Sequence, residues 1–169
     1  MAIQKLLEEE FAGVDESGVR LERVGGLTVW EAQPVYKHQA AIRRIQDSIG
    51  PTETFDGDCA CIWIADVSLV FSDGSQIRPD IAIYGREPDE DEQESAITMI
   101  PEAVIEVISK GYEAKDYEVG VPFYIAQGVK DVVTLDPRTR EVRHYKRSGV
   151  LYFTSPVEIL LECGCVCTV

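Results

Sequence analysis

The chain has 169 residues, 45% of them apolar, and sets 16 Lys and Arg against 30 Asp and Glu, a formal charge of −14. That size suits one domain, residues 1–169, with a sizeable core, and no apolar run is long enough to cross a bilayer. So acidic a balance argues against tight, non-specific nucleic-acid binding, which leans on basic surface. Much of the acid is local, because Glu87, Asp89, Glu90, Asp91, Glu92 and Glu94 crowd one loop, yet without those six the balance is still −8. The first ten residues turn acidic at once, unlike a secretory signal, and the expected location is the cytoplasm.

In chain order, residues 3–10 read as a short amphipathic helix. Residues 18–24 and 27–31 read as two strands around Gly25-Gly26, a hairpin signal. Residues 36–49 follow as a helix, with His38, Ile42, Ile45 and Ile49 on one face and Gly50-Pro51 ending it. Strands are expected over 59–64, 67–71, 77–84 and 101–109, the last two separated by the acidic loop at 86–95. A helix over 112–127 comes next, with Tyr117, Val121 and Tyr124 on its inner side, a kink or restart at Pro122, and Gly128 as its end. Residues 131–135, 141–146, 150–154, 157–161 and 165–169 complete the strands. Helices interleaved with strands, plus terminal hairpins, predict an α/β (α+β) mixed sheet flanked by helices.

Two of these strands each carry a carboxylate where a buried strand wants none. In Ile77-Arg78-Pro79-Asp80-Ile81-Ala82-Ile83-Tyr84, alternation sends Asp80 to the side of Ala82; in the strand through Val104-Ile105-Glu106-Val107, it sends Glu106 to the side of Val104. If the strands are neighbours, the two acids share a face. Burying a pair of unpaired carboxylates is costly, and a hard divalent cation such as magnesium would neutralise them. Two separate salt bridges would serve equally well on spacing alone.

The five cysteines, Cys59, Cys61, Cys163, Cys165 and Cys167, are odd in number and tightly spaced, which argues against a secreted disulfide framework. Cys59 and Cys61 are expected on one strand face and the other three on another, packed as small apolar thiols. A zinc site is the alternative, although Cys-x-Cys departs from the usual ligand spacing.

The ordered set Arg78-Pro79-Asp80, Val104-Ile105-Glu106-Val107-Ile108-Ser109, Tyr124-Ile125-Ala126-Gln127-Gly128-Val129 and Leu135-Asp136-Pro137, with the hairpin Leu21 to Gly26 and the helical His38-Gln39, resembles the Uma-type restriction endonuclease family of the PD-(D/E)xK nuclease-like superfamily. The resemblance spans about residues 20 to 160. It implies a restriction-endonuclease-like fold and metal-dependent phosphodiester hydrolysis of DNA, with Asp80 and Glu106 as ligands of Mg2+ or Mn2+ and a homodimer cutting two strands. The superfamily's Glu-x-Lys lysine falls on Ile108 here, and its usual place in this family falls near Gly120. Lys115 is the nearest replacement and Lys110 the second.

The proposed catalytic set is therefore Asp80, Glu106, Lys115 and His38. His38 could equally be a hydrogen-bonded core histidine, Lys115 a solvated helix residue, and Asp116 a structural acid. Glu22, Glu31 and Asp66 could each supply a further ligand or be strand-edge and turn acids. The missing Glu-x-Lys lysine and the acidic charge leave open a second reading, a catalytically inactive nuclease-fold module acting in binding or regulation. A third is a nuclease for small or single-stranded substrates, which needs less basic surface.

Overall fold

Gly25 and Gly26, with φ of 54° and 82°, turn the chain between β1 (Arg20–Val24) and β2 (Leu27–Glu31). The computed structural model describes residues 20–31, 33–54 and 57–169, so the predicted helix over 3–10 lies outside the described residues. Helix α1 (Tyr36–Gln46) buries His38, Ala41, Ile42 and Ile45, the face its periodicity predicts. It ends three residues early. Gly50-Pro51 is not its terminator but a short strand, β3.

The predicted strand over 77–84 is two strands. Pro79 lacks a ladder N–H, and the chain breaks around it into β6 (Gln76–Ile77) and β7 (Ile81–Tyr84). Before them come β4 (Ile62–Ala65) and the two-residue β5 (Leu69–Val70). The acidic loop contains one short helix, α2 (Glu90–Gln93), and is followed by β8 (Ala103–Val107). The 112–127 helix is real, but its middle is a wide π turn over Lys115–Gly120 that runs into α3 (Val121–Ala126). There the Val121 N–H bonds to Asp116 O, five residues back. Pro122, which has no N–H to give an α-helical bond, sits just after this turn. Gly128, with φ of 96°, closes the helix as expected.

The remaining strands are β9 (Asp131–Leu135), β10 (Glu141–Lys146), β11 (Gly149–Thr154), β12 (Glu158–Leu160) and β13 (Cys165–Thr168). They assemble into a six-stranded sheet of order β11-β10-β9-β8-β7-β4, flanked by a β2-β1-β6-β5 sheet and a β12-β13-β3 sheet. Only β8 and β9 pair in parallel within the central sheet, joined by the helical crossover that parallel neighbours need. One core lies under α1 with Ile81, Ile83, Ile105 and Val107; the other holds Ala82, Tyr84, Val104, Val121 and Tyr124. The alternation in β7 and β8 thus buries both faces.

Two expectations are corrected in the cysteine segments. Cys59 and Cys61 precede β4 rather than lying in it, with Cys61 in the left-handed region at φ 49°. Cys61 is joined to Cys165 by a disulfide, while Cys59, Cys163 and Cys167 are free. The tail bearing Cys165 folds back onto the core through β13, which brings two thiols from distant sequence together.

Candidate active site

β7 and β8 are antiparallel neighbours, with Ile81 opposite Ile105 and Ala82 opposite Val104. One further residue along that register sets Asp80 opposite Glu106, and directly opposed residues project to the same face. Each acid is also tied to the backbone of the segment that carries the other. Val107 donates its N–H to Asp80 Oδ2 at 2.7 Å, and Asp80 donates its own N–H to Glu106 Oε2 at 3.1 Å. The other oxygen of Glu106 accepts the Tyr124 hydroxyl at 2.8 Å.

The buried face of α1 brings His38 to this pair, with Nε2 3.2 Å from Asp80 Oδ2. The π turn brings Lys115, whose Nζ lies 2.7 Å from Glu22 Oε2, 3.8 Å from Asp116 Oδ1 and 3.9 Å from Glu31 Oε1. Glu22 also accepts the Arg78 N–H at 2.8 Å, which ties β1 to the break before Asp80. His38, Asp80, Glu106, Lys115, Asp116, Glu31, Ser109 and Tyr112 line one small hollow of about 10 Å³, room for about one water or ion. Lys110 is exposed on the following turn and does not line it. Asp66 is exposed in a turn at φ 56° and is also outside it.

The electrostatics are one-sided. Glu22, Glu31, Asp80, Glu106 and Asp116 surround Lys115 and His38. Burial, then the neighbouring charges of Asp80 and Asp116, push the Glu106 carboxyl well above its ordinary range. Burial also lifts Asp116 to about 7, against the opposing pull of Lys115. Burial works against the charge on Lys115, but Glu22, Glu106, Glu31 and Asp116 together hold its amine above the usual lysine value. Burial opposes the charge on His38 too, and Asp80, by hydrogen bond and by charge, outweighs it and raises the ring. A divalent cation fits this donor set: hard oxygen ligands, two of them backbone-fixed, in a hollow with more acids than cations.

The structure brings together all four residues singled out from the sequence. It also adds Tyr124, read from sequence as core, and Asp116, read as structural. Glu22 is 2% exposed rather than a strand-edge acid, and alternation with the buried Val24 in β1 was the signal for it.

A family model described as "Uma2: Putative restriction endonuclease" matches residues 5–162. The chain belongs to this family. Among solved structures, the Uma2 chain is similar to the crystal structure described as "a putative nuclease belonging to DUF820" from Anabaena variabilis ATCC 29413. The TM-score is 0.60 at 17% identity, over 82% of this chain and 79% of that one. At that identity the likeness is one of fold. No curated relative matches the Uma2 chain in sequence.

Proposed function

We propose that this Uma2 protein is a Mg2+- or Mn2+-dependent endonuclease that hydrolyses phosphodiester bonds of DNA. The observation that carries the reading is the facing of Asp80 and Glu106 across β7 and β8, with the Lys115 amine in the same hollow. Asp80 and Glu106 would hold the ion. Such an ion supplies charge for the attacked phosphate and lowers the pKa of a ligating water.

The chain's own groups do the rest. The Val107 N–H and the His38 ring fix Asp80 Oδ2, while Tyr124 and the Asp80 N–H fix both oxygens of Glu106. Ligands held this way need little reorganisation when an ion or a substrate arrives. Lys115, kept protonated by its acidic neighbours, is the cation available to an incoming phosphate oxygen or to the attacking water. His38 acts here through Asp80, as a positioning residue. A homodimer belongs to the same proposal, because two sites about a two-fold axis suit the cutting of two strands.

The test is nicking of supercoiled plasmid with Mg2+ or Mn2+. Wild type is expected to nick and Asp80→Ala not to. Equal nicking by both would mean a contaminating nuclease and would remove the case for this site. One observation favours the second reading, a binding or regulatory module without hydrolysis: the Lys115 amine is already paired with the buried Glu22 at 2.7 Å in a chain of charge −14. Metal binding by calorimetry without any nicking of plasmid is the outcome that reading expects.

A further inference from the structure

Cys59 and Cys61 stand just before β4, and Cys163 and Cys165 stand at the start of the tail hairpin strand β13. The fold brings these two Cys-x-Cys segments together. The Sγ atoms of Cys59, Cys163 and Cys165 all lie within 4.8 Å of one another, and Cys59 Sγ is 3.4 Å from Cys165 Sγ. Cys61 Sγ is bonded to Cys165 Sγ but is not among the three sulfurs that lie within 4.8 Å of one another. Cys61, Cys163 and Cys165 are buried and Cys59 is half-buried. Among the described residues, no other group of thiol, imidazole or carboxylate ligands converges as closely.

Backbone hydrogen bonds hold both segments in addition to the S–S bond. The tail turn is closed by Gly164 N–H to Leu161 O at 3.0 Å and Leu161 N–H to Cys165 O at 2.8 Å, with Gly164 at φ 90°. Asp131 Oδ2 accepts the Glu162 N–H at 2.8 Å, and Gly164 O accepts from Thr52 N–H at 3.0 Å. On the other side, Ala60 N–H donates to Gly85 O at 2.8 Å, which anchors the Cys59–Cys61 segment to the end of β7. The left-handed backbone at Gly164 lets Cys163 and Cys165 present both of their sulfurs to one point. Thiolates around a tetrahedral zinc ion sit about 3.8 Å apart, given a Zn–S distance of about 2.3 Å, and the trio of Cys59, Cys163 and Cys165, mutually within 4.8 Å, approaches that spacing.

We propose that Cys59, Cys163 and Cys165 hold a zinc ion in the reduced protein with Cys61, freed from its bond to Cys165, as the fourth thiolate, and that the Cys61–Cys165 disulfide is the oxidised, metal-free alternative. The two states interconvert with balanced chemistry. A dithiol reductant delivers two electrons and two protons to the S–S bond and closes to its own disulfide. The four thiols then release their protons to solvent as they ligate Zn2+. Thiolate donors select a soft or borderline ion and not magnesium, so this site is separate in chemistry from the one at Asp80 and Glu106. It is separate in place as well, since Asp80 precedes β7 and Gly85 follows it. A zinc ion here would fasten the C-terminal strands to the central sheet as a structural clamp.

The test uses the full chain, refolded from the reduced state with Zn2+ and gel-filtered. The expected result is one zinc per chain by elemental analysis, lost in Cys59→Ser and in Cys163→Ser and retained in Cys167→Ser. A disulfide alone would not depend on Cys59 or Cys163. Should those variants not fold, Co2+ replacement on the wild-type protein reads the ligands directly: tetrahedral d–d bands with intense thiolate-to-cobalt charge transfer are expected. No retained metal, full zinc in Cys59→Ser, iron in place of zinc, or a cobalt spectrum without thiolate charge transfer would each overturn the proposal.

Discussion

Asp80 gives its backbone N–H to Glu106 Oε2 at 3.1 Å and takes the Val107 N–H on Oδ2, so each of the two acids of this hollow is placed by the chain segment that carries the other. Their spacing is therefore a property of the β7–β8 register, not of flexible side chains. Ion capture at that point would cost little conformational entropy.

Glu106 is expected to be a burden in the absence of metal. Its carboxyl is raised by burial and by Asp80, so the folded state binds a proton more tightly than the unfolded state does. Stability from this group is then present below the ordinary carboxylate range and lost as pH rises through the raised value. Glu106→Gln can keep both hydrogen bonds if the Tyr124 hydroxyl turns to accept. In EDTA at neutral pH its Tm should exceed that of wild type, and its further loss of Tm toward alkaline pH should be smaller. A lower Tm across the whole range would mean that the carboxylate is structurally required.

Lys115 is the only cation that Glu22 meets among the pairs described, and Glu22 is 2% exposed. Lys115→Met should cost about 3 kcal/mol by chemical denaturation, because it strands a buried charge. Glu22→Gln with Lys115→Met should recover a large share of that stability while nicking stays absent. If the double variant is no more stable than Lys115→Met, the pair is not coupled as the geometry implies.

Tyr124→Phe removes the donor to Glu106 Oε1 and should cost about 1 to 2 kcal/mol. Its effect on Mn2+ affinity should be a loss of about tenfold, as for other groups that orient a metal ligand. Unchanged affinity would show that Tyr124 serves the core alone.

The two acids were legible in the sequence because carboxylates interrupt otherwise apolar strands, and their shared face followed from period-2 alternation. Pro79 is also visible in the sequence, but the apolar run Ile77 to Tyr84 masks the break there, which leaves the Asp80 N–H outside the ladder to reach Glu106. Glu22 carried a signal in its alternation with Val24, while a strand-edge acid was the more ordinary reading. The approach of Lys115 was not legible in detail, since a π turn depends on how Pro122 is accommodated in three dimensions. The meeting of Cys59 with Cys163 and Cys165 needed the fold, because no local pattern links segments about a hundred residues apart.

The most direct measurement is calorimetric titration of Mn2+ and Mg2+ into the metal-free protein, with Asp80→Ala beside wild type. Saturable binding by wild type that is lost in Asp80→Ala, with the variant still folded by circular dichroism, is the predicted result. Indistinguishable isotherms for the two proteins would contradict a metal site at Asp80 and Glu106.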